Sequence, residues 1–161
     1  MESRYDLLQN GIGRKLAKRL FAVNQVVEET GLPRALRELV CLRASQINGC
    51  APCVDIHTKE AVAAGESQLR LNLVAVWQET DLFTDAERAA LALAEEGTRI
   101  ADAASGVSDA TWATVCQHFG DDQIAALLAL IGLTNAVNRL NVITRTKGGN
   151  YDPSMIAALA S

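Results

Sequence analysis

The chain has 161 residues, a formal net charge of −4 and a sequence pI near 5.2. This length is typical of one domain that buries a hydrophobic core without structural disulfides or metal ions. An acidic chain has no general attraction to nucleic acid or to anionic membrane surfaces, so we expect neither partner.

The first twenty residues carry interspersed charges, without an apolar run followed by a cleavage site, so no secretion signal is predicted. No stretch reaches the roughly 18 uncharged apolar residues typical of a membrane-spanning helix, so we expect none. Four cysteines without a secretion signal favour thiols in a reducing compartment over a disulfide framework. These observations together predict a cytoplasmic thiol protein.

Helix-forming residues fill runs longer than ten residues, and no alternating strand pattern is present. Gly31-Leu32-Pro33 ends the first helix, and the pair Thr84 and Glu87 predicts a capping box. In chain order the predicted helices are Tyr5 to Thr30 with a bend near Gly11 and Gly13, Pro33 to Ile47, the cysteine pair to Ala64, Glu66 to Gln78, Thr84 to Ala103, Asp109 to Phe119 after a Ser108 cap, and Gln123 to Ile143 after an Asp121 or Asp122 cap.

Long helices joined by short loops predict an all-α, antiparallel bundle-like fold. Without a linker or a change in composition, we expect a single domain over residues 1–161, with a motif core at about 34–65. The residues after about 145 contain Gly148-Gly149 and are expected to form a loose tail.

Reactive side chains cluster in the segment Asn48-Gly-Cys50-Ala-Pro-Cys53-Val-Asp-Ile-His57. On a helix that turns about 100° per residue, Cys50, Cys53 and His57 fall within an arc of about 60°. His57 follows Cys53 by four residues, so its imidazole can approach the Cys53 sulfur directly or through one water. The first helical turn favours a thiolate, which predicts a lowered thiol pKa and a disulfide that opens and closes with little movement.

Glu38 lies in the preceding helix, which we expect to be buried because it is apolar on both sides: Leu36, Val40 and Ile47 on one, Cys41 and Leu42 on the other. A buried carboxylate needs a partner, and a histidine ring is a suitable one. Carboxylate, imidazole and thiol form the general arrangement of an activated nucleophile, so we include Glu38 in the candidate site.

Other interpretations of the cysteines stay open at this point. A zinc site needs four ligands, and only Cys41, Cys116 and His118 could supplement the motif. Val54 after Cys53 excludes covalent haem attachment, and the missing strand disfavours a thioredoxin-like fold. Plain core packing remains an alternative for the motif pair and is the preferred interpretation for Cys41 and Cys116. We interpret His118 as a cation at a helix end or a surface residue.

The motif resembles that of a known family. Glu38, Cys50-Ala-Pro-Cys53 and His57 match the E-x11-C-x2-C-x3-H pattern of alkyl hydroperoxidase D (AhpD)-like proteins in the carboxymuconolactone decarboxylase superfamily. The segments LRASQINGC, DIHTKEAVAAGE, FTDAERAALALAE and NAVNRLNVITRT also resemble that family. This resemblance implies an AhpD-like helical fold, a homo-oligomer that is a trimer or hexamer, and thiol peroxidase activity.

The resemblance also implies residue roles. Cys53 would attack a hydroperoxide, Cys50 would resolve the sulfenic acid to a disulfide, and Glu38 with His57 would relay protons. No bound cofactor is implied; a lipoamide- or thioredoxin-like dithiol donor would restore the thiols. Pro52 replaces a histidine found in some members. The decarboxylase branch lacks the paired cysteines, so we do not expect decarboxylation.

Two other functions remain open: a redox adaptor that passes electrons to a separate peroxidase, and a non-catalytic thiol sensor. We expect aliphatic residues, with Trp77, to line a peroxide pocket. Inter-helix hydrogen bonding is the preferred interpretation of a polar cluster on the last predicted helix: Asn135, Asn138, Arg139 and Asn141.

Overall fold

The computed structural model describes residues 2–103 and 105–152. This part of the chain is helical and contains no strand, which confirms the all-α prediction. Short 3₁₀ segments occupy Leu7–Gln9 and Val74–Glu79. The α-helices are α1 (Gly11–Phe21), α2 (Val23–Glu29), α3 (Arg34–Asn48), α4 (Ala51–Ala63), α5 (Gln68–Leu73), α6 (Asp85–Thr98), α7 (Asp109–His118) and α8 (Asp121–Thr144).

The predicted first helix is wrong in its bounds. The Asn10 side chain accepts hydrogen bonds from the N–H groups of Ile12 and Gly13, so α1 begins only at Gly11. An interruption at Ala22 then separates α1 from α2, although Ala22 keeps right-handed helical dihedrals. The predicted fourth helix likewise divides into α5 and a 3₁₀ segment in which Val76 leaves the helical region.

Helix starts with side-chain caps agree with the predictions. Thr84 Oγ1 accepts from the Glu87 N–H, and a Glu87 carboxylate oxygen accepts from the Thr84 N–H at 2.8 Å, which forms the capping box of α6. Ser108 caps α7. α8 differs by a residue or two, because Gly120 takes the cap position. Local hydrogen bonding therefore fixes where most of these helices begin.

Helix α3 forms the centre of the core and packs on α4, α6 and α8. Its residues Leu36 and Val40 belong to one hydrophobic cluster, shared with α2, α6, α7 and α8. Leu39 and Leu42 belong to a second cluster, shared with α4, α5 and α6. Burial on two sides confirms the expectation for this helix, and Glu38 itself is partly buried.

The turn between α3 and α4 is fixed by backbone geometry and by α8. Gly49 adopts φ 66°, a left-handed conformation that favours glycine, and ends α3. The Cys50 N–H donates to the Ser45 carbonyl at 3.0 Å. Asn48 Nδ2 donates to the side-chain oxygens of Asn135 and Asn138 on α8, which confirms inter-helix hydrogen bonding for these members of the polar cluster. Arg139 instead donates to Asn135 within α8.

Residues 146–152, here called the C-terminal strap, run along α4. The N–H groups of Gly149 and Tyr151 donate to Asp55 Oδ2 at 2.7 and 3.0 Å, and Lys59 Nζ donates to the Tyr151 carbonyl. A Cβ on Gly148 would lie 2.5 Å from the Ala51 carbonyl oxygen, so only glycine permits this approach. The expected loose tail is therefore wrong for these residues, and residues 153–161 lie outside the described part.

Helix α8 is long and apolar enough to span a membrane by length and composition alone, contrary to expectation. A third of its most apolar window is buried in this fold, and the helix packs on α3. A core helix passes the same test, so α8 is weak support for a membrane span.

Candidate functional site

A cavity of about 290 Å³ brings three of the four predicted site residues together. Cys53 and His57 from α4 and Glu38 from α3 line it. Aliphatic and aromatic side chains supply part of the remaining wall: Phe21, Ile56, Leu130, Leu133 and Val137. Polar and charged side chains, together with Cys41, supply the rest: Asn24, Glu28, Arg34, Arg37, Glu60, Thr134 and Asn138. The cavity therefore offers a ligand both an aliphatic wall and polar groups around the reactive residues.

The motif cysteines form a disulfide in this structure. Cys50 caps the N-terminus of α4, and Cys53 lies in its first turn, with 5.3 Å between their Cα atoms. Both residues are buried, at 1% and 2% exposure, but only Cys53 lines the cavity. A small molecule in the cavity therefore meets Cys53 and not Cys50.

Glu38 and His57 form a hydrogen-bonded pair across α3 and α4. Glu38 Oε2 lies 2.8 Å from His57 Nδ1, and both side chains are about one-fifth exposed. Because an ionised carboxylate only accepts hydrogen bonds, the proton between them belongs to Nδ1. A neutral His57 then carries its lone pair on Nε2, the nitrogen that is free to act as a base.

Cys41 and Cys116 differ from each other. Cys41 is buried, lines the same cavity and accepts a hydrogen bond from Thr134 Oγ1 at 3.2 Å. Burial, followed by the Glu38 charge, raises the pKa of Cys41 to about 12, so it remains a thiol at neutral pH. Cys116 is exposed, so the packing prediction is wrong for it: α7 turns Val115 towards the core instead.

Asn141 is a site residue whose contact sequence reasoning missed. Its side chain, on α8, donates from Nδ2 to the Cys53 sulfur at 3.3 Å across 88 residues of sequence. Asn138 and Asn141 are three residues apart on one helix, a spacing that places both amides on one face. That spacing was the available signal, but it did not identify the cysteine as the acceptor.

One rim of the cavity is formed by charged residues that the strap contacts. Arg34 forms an ion pair with Glu60, and Glu60 also accepts a hydrogen bond from the Tyr151 hydroxyl. Burial and the adjacent Glu60 carboxylate raise the pKa of Tyr151, which keeps the phenol protonated and able to donate. The strap therefore contributes a side chain next to the cavity mouth.

Two further predictions concern residues away from this cavity. Trp77 lies in a different pocket and donates from its indole N–H to Glu95 at 3.0 Å, so its expected place in the site is wrong. His118 is exposed in the last turn of α7, as predicted. Within residues 2–103 and 105–152, no group of three or more His, Cys, Asp or Glu side chains could hold a metal ion.

Comparison with known proteins agrees with the geometry. Residues 14–96 match the carboxymuconolactone decarboxylase family. The chain is 31% identical to the uncharacterized protein YdfG of Bacillus subtilis over 140 residues, which is 87% of this chain and 90% of YdfG. It is 37% identical over 75 residues to the alkyl hydroperoxide reductase AhpD of Rhodopseudomonas palustris, but this match spans only 44% of this chain and 41% of that protein.

A solved structure extends this similarity to the whole fold. It is a protein of unknown function from Agrobacterium tumefaciens, proposed to be the antioxidant defence protein AhpD. The two folds superpose with a TM-score of 0.84 at 34% sequence identity, over 93% of this chain and all of the other.

Proposed function

This chain belongs to the AhpD-like carboxymuconolactone decarboxylase superfamily, and from that premise we propose that it is a thiol-dependent peroxidase that reduces organic hydroperoxides. One observation carries the proposal. Cys53 shares a cavity with a hydrogen-bonded Glu38–His57 pair and is joined to Cys50 as a disulfide. The arrangement supplies a nucleophile, a base with an orienting carboxylate, and a resolving thiol.

The cycle begins from the disulfide seen here. A dithiol donor gives two electrons to the S–S bond, becomes a disulfide itself and leaves Cys50 and Cys53 as thiols. His57 Nε2 then accepts the Cys53 proton. Glu38 keeps the Nδ1 proton in place and stabilises the imidazolium that forms.

Peroxide reduction then consumes both thiols. The Cys53 thiolate attacks the terminal peroxide oxygen, an S–O bond forms, the O–O bond breaks, and the alcohol leaves with the proton from His57. Cys50 attacks the Cys53 sulfenic acid, an S–S bond forms and water leaves. Two thiols and one hydroperoxide thus become one disulfide, one alcohol and one water.

The walls of the cavity support an organic hydroperoxide over hydrogen peroxide. Aliphatic side chains can contact the alkyl group of an organic hydroperoxide: Ile56, Leu130, Leu133 and Val137. Hydrogen peroxide has no alkyl group and gains nothing from these contacts. We therefore expect bulky alkyl hydroperoxides to react faster than hydrogen peroxide.

The test is hydroperoxide consumption by the purified protein, with cumene hydroperoxide as substrate and dihydrolipoamide as donor. Cys53→Ser should abolish turnover, whereas Cys50→Ser should consume one peroxide per chain and stop as a sulfenic acid. Cys116→Ser, an exposed cysteine outside the cavity, is the matched control and should keep full activity. Turnover by Cys53→Ser would overturn the proposal.

The same assay separates the alternatives. A redox adaptor would reduce the disulfide of a partner peroxidase without consuming hydroperoxide itself. A thiol sensor would neither consume hydroperoxide nor reduce a partner peroxidase. Cys53 lines a cavity that can admit a small hydroperoxide beside the Glu38–His57 pair, which is why we propose the peroxidase.

We also propose that the protein acts as a cytoplasmic homo-oligomer. Large apolar side chains are exposed on α1 and α8, and a second copy of the chain would cover them: Ile12, Leu16, Leu128, Val142 and Ile143. Light scattering at micromolar concentration should give the mass of a trimer or hexamer, and a monomer mass would exclude this assembly.

A further inference from the structure

We propose that Asn141 is a further catalytic residue, whose amide N–H stabilises the Cys53 thiolate and makes Cys53 the attacking member of the pair. The inference rests on the proposed peroxidase function and concerns the same site. It begins from one contact: Asn141 Nδ2 lies 3.3 Å from the Cys53 sulfur. No charge change is needed for this donor, because a carboxamide does not titrate.

Asn141 is held in place by the end of α8. Its carbonyl accepts a hydrogen bond from the Thr146 N–H at 2.9 Å and another from Thr144 Oγ1 at 3.2 Å. The neighbouring Asn138, completely buried, donates to Ser45 Oγ and anchors α8 to α3. The amide therefore reaches Cys53 from a fixed backbone rather than from a loop.

The contact becomes stronger when the disulfide opens. A disulfide sulfur is a weak acceptor, whereas a thiolate carries a full negative charge, and hydrogen bonds to charged groups are about twice as strong as neutral ones. A donor of this kind lowers a thiol pKa by about one unit. The donor contacts Cys53, the cysteine that lines the cavity, so it favours charge on the sulfur that a peroxide can reach.

The rate effect is smaller than the pKa effect. Lowering a thiol pKa by one unit raises the thiolate fraction about tenfold below that pKa but lowers the intrinsic nucleophilicity about threefold. The net gain near neutral pH is therefore about threefold. At a pH above the Cys53 pKa of both the wild type and a variant without the donor, the two thiolate fractions are equal. The variant should then react faster, because its thiolate is the stronger nucleophile.

Other groups in the cavity also influence Cys53, and the comparison must hold them constant. Those that carry charge or titrate are His57 and Glu60 from α4, Arg34, Arg37, Glu38 and Cys41 from α3, and Glu28 from α2. All of them are present in wild type and variant alike, so the difference between the two titrations isolates Asn141.

The experiment uses the full chain in a Cys50→Ser, Cys116→Ser background, in which thiolate absorbance reports Cys53. Asn141→Leu keeps the side-chain size and removes the donor. We expect its Cys53 pKa to rise by about one unit. Single-turnover cumene hydroperoxide reduction should be about threefold slower at pH 7 and unchanged or faster at pH 9.5.

Asn135→Ala is the matched control, because it removes the same amide from the same helix without a contact to Cys53. Its Cys53 pKa should equal the wild-type value. If Asn141→Leu does not fold, Asn141→Asp keeps the shape and should raise the pKa further. An unchanged pKa in a folded variant, or equal slowing at both pH values, overturns the role of Asn141. Peroxide inertness of the wild-type protein would instead refute the proposed function, while the titration would still test Asn141.

Discussion

Two polar clusters of this helical fold differ in what surrounds them. The site cluster is formed by Glu38, Cys53, His57 and Asn141; the first three line a cavity, and Asn141 contacts the Cys53 sulfur. The ion cluster, formed by Glu66, Arg70, Thr84 and Glu87, joins α5 to the start of α6. Both are partly buried, and both contain a carboxylate that accepts a hydrogen bond from a nitrogen.

In the ion cluster one guanidinium is shared by two carboxylates. Arg70 donates to Glu66 at 2.7 Å and to Glu87 at 2.5 Å, and its guanidinium lies 4.8 Å from the centre of the Phe83 ring. Burial alone would raise the pKa of Glu87, but hydrogen bonds from Arg70 and Thr84 lower it below the usual range. The hydrogen bond to Glu66 is the main cause of a raised Arg70 pKa, so neither group changes charge near neutral pH.

The site cluster instead contains groups whose charge can change. A thiol and an imidazole can each give up or take up a proton during a reaction, and a cavity beside them leaves room for a reacting molecule. The comparison indicates that the hydrogen-bonded ion cluster suits a structural role, whereas the site cluster beside open space suits the proposed chemistry. Substitutions in the two clusters should therefore affect different measurements.

The largest expected effect is that of His57→Ala on rate. Removing the base should raise the apparent pKa of Cys53 and slow peroxide reduction by about 10²–10⁴-fold, the usual contribution of a general acid–base group. Stopped-flow peroxide reduction and thiolate absorbance against pH measure the two quantities. A wild-type rate and titration would mean that the helix terminus and Asn141 activate Cys53 without a relay.

Arg70→Met should give the largest effect on stability. The methionine keeps much of the apolar contact with Phe83 but leaves Glu66 and Glu87 without their cation, which should cost about 2–3 kcal/mol in the free energy of unfolding. Denaturant unfolding measures this loss, and the peroxidase rate of the folded variant should match wild type. A loss of activity with unchanged stability would contradict the division between the clusters.

Glu38→Gln should act like His57→Ala but more weakly. The amide oxygen can still accept from His57 Nδ1, yet its missing charge no longer stabilises the imidazolium, so a loss of about tenfold is expected. Adding Glu38→Gln to His57→Ala should slow peroxide reduction little further, because the carboxylate acts through the imidazole. Fully additive losses would show that Glu38 acts by another route.

The smallest effect concerns acid pH. The pKa of Glu87 is lowered from 4.5 despite burial, and that of Glu95 is lowered because Trp77 and Arg43 hydrogen bonds outweigh burial. A lowered folded-state pKa contributes stability that is present above pH 4.5 and is lost as pH falls through the folded value. The unfolding free energy should therefore fall as the pH drops below 4.5, and that of Arg70→Met should fall less steeply. If the unfolding free energies of wild type and Arg70→Met fall equally steeply with pH, Arg70 is not the cause of the lowered Glu87 pKa.

Local features of the chain were predictable from sequence. The capping box at Thr84, the break at Gly49 and the burial of α3 follow from interactions within a few residues of one another. The proximity of Glu38 to His57 followed from the expected burial of that carboxylate, and the family motif supported it.

Other features depend on tertiary packing that no local pattern encodes. The contact of Asn141 with Cys53 spans 88 residues and depends on the rotation of α8 against α4. The strap forms because Asp55 accepts two backbone N–H groups from a segment that has no helical or strand periodicity of its own. Cys116 and Trp77 were misplaced because composition predicts burial but not the direction in which a helix faces.

The strap hydrogen-bonds the residue that contacts the Cys53 sulfur. Its first residue, Thr146, donates its N–H to the carbonyl of Asn141, and Arg4 donates to the Thr144 carbonyl one turn away. Chain segments from both ends of the described protein thus form hydrogen bonds with the last turn of α8, the turn that carries the amide beside Cys53. The strap is thus one hydrogen bond away from the residue that contacts the Cys53 sulfur, which links the described ends of the chain to the site.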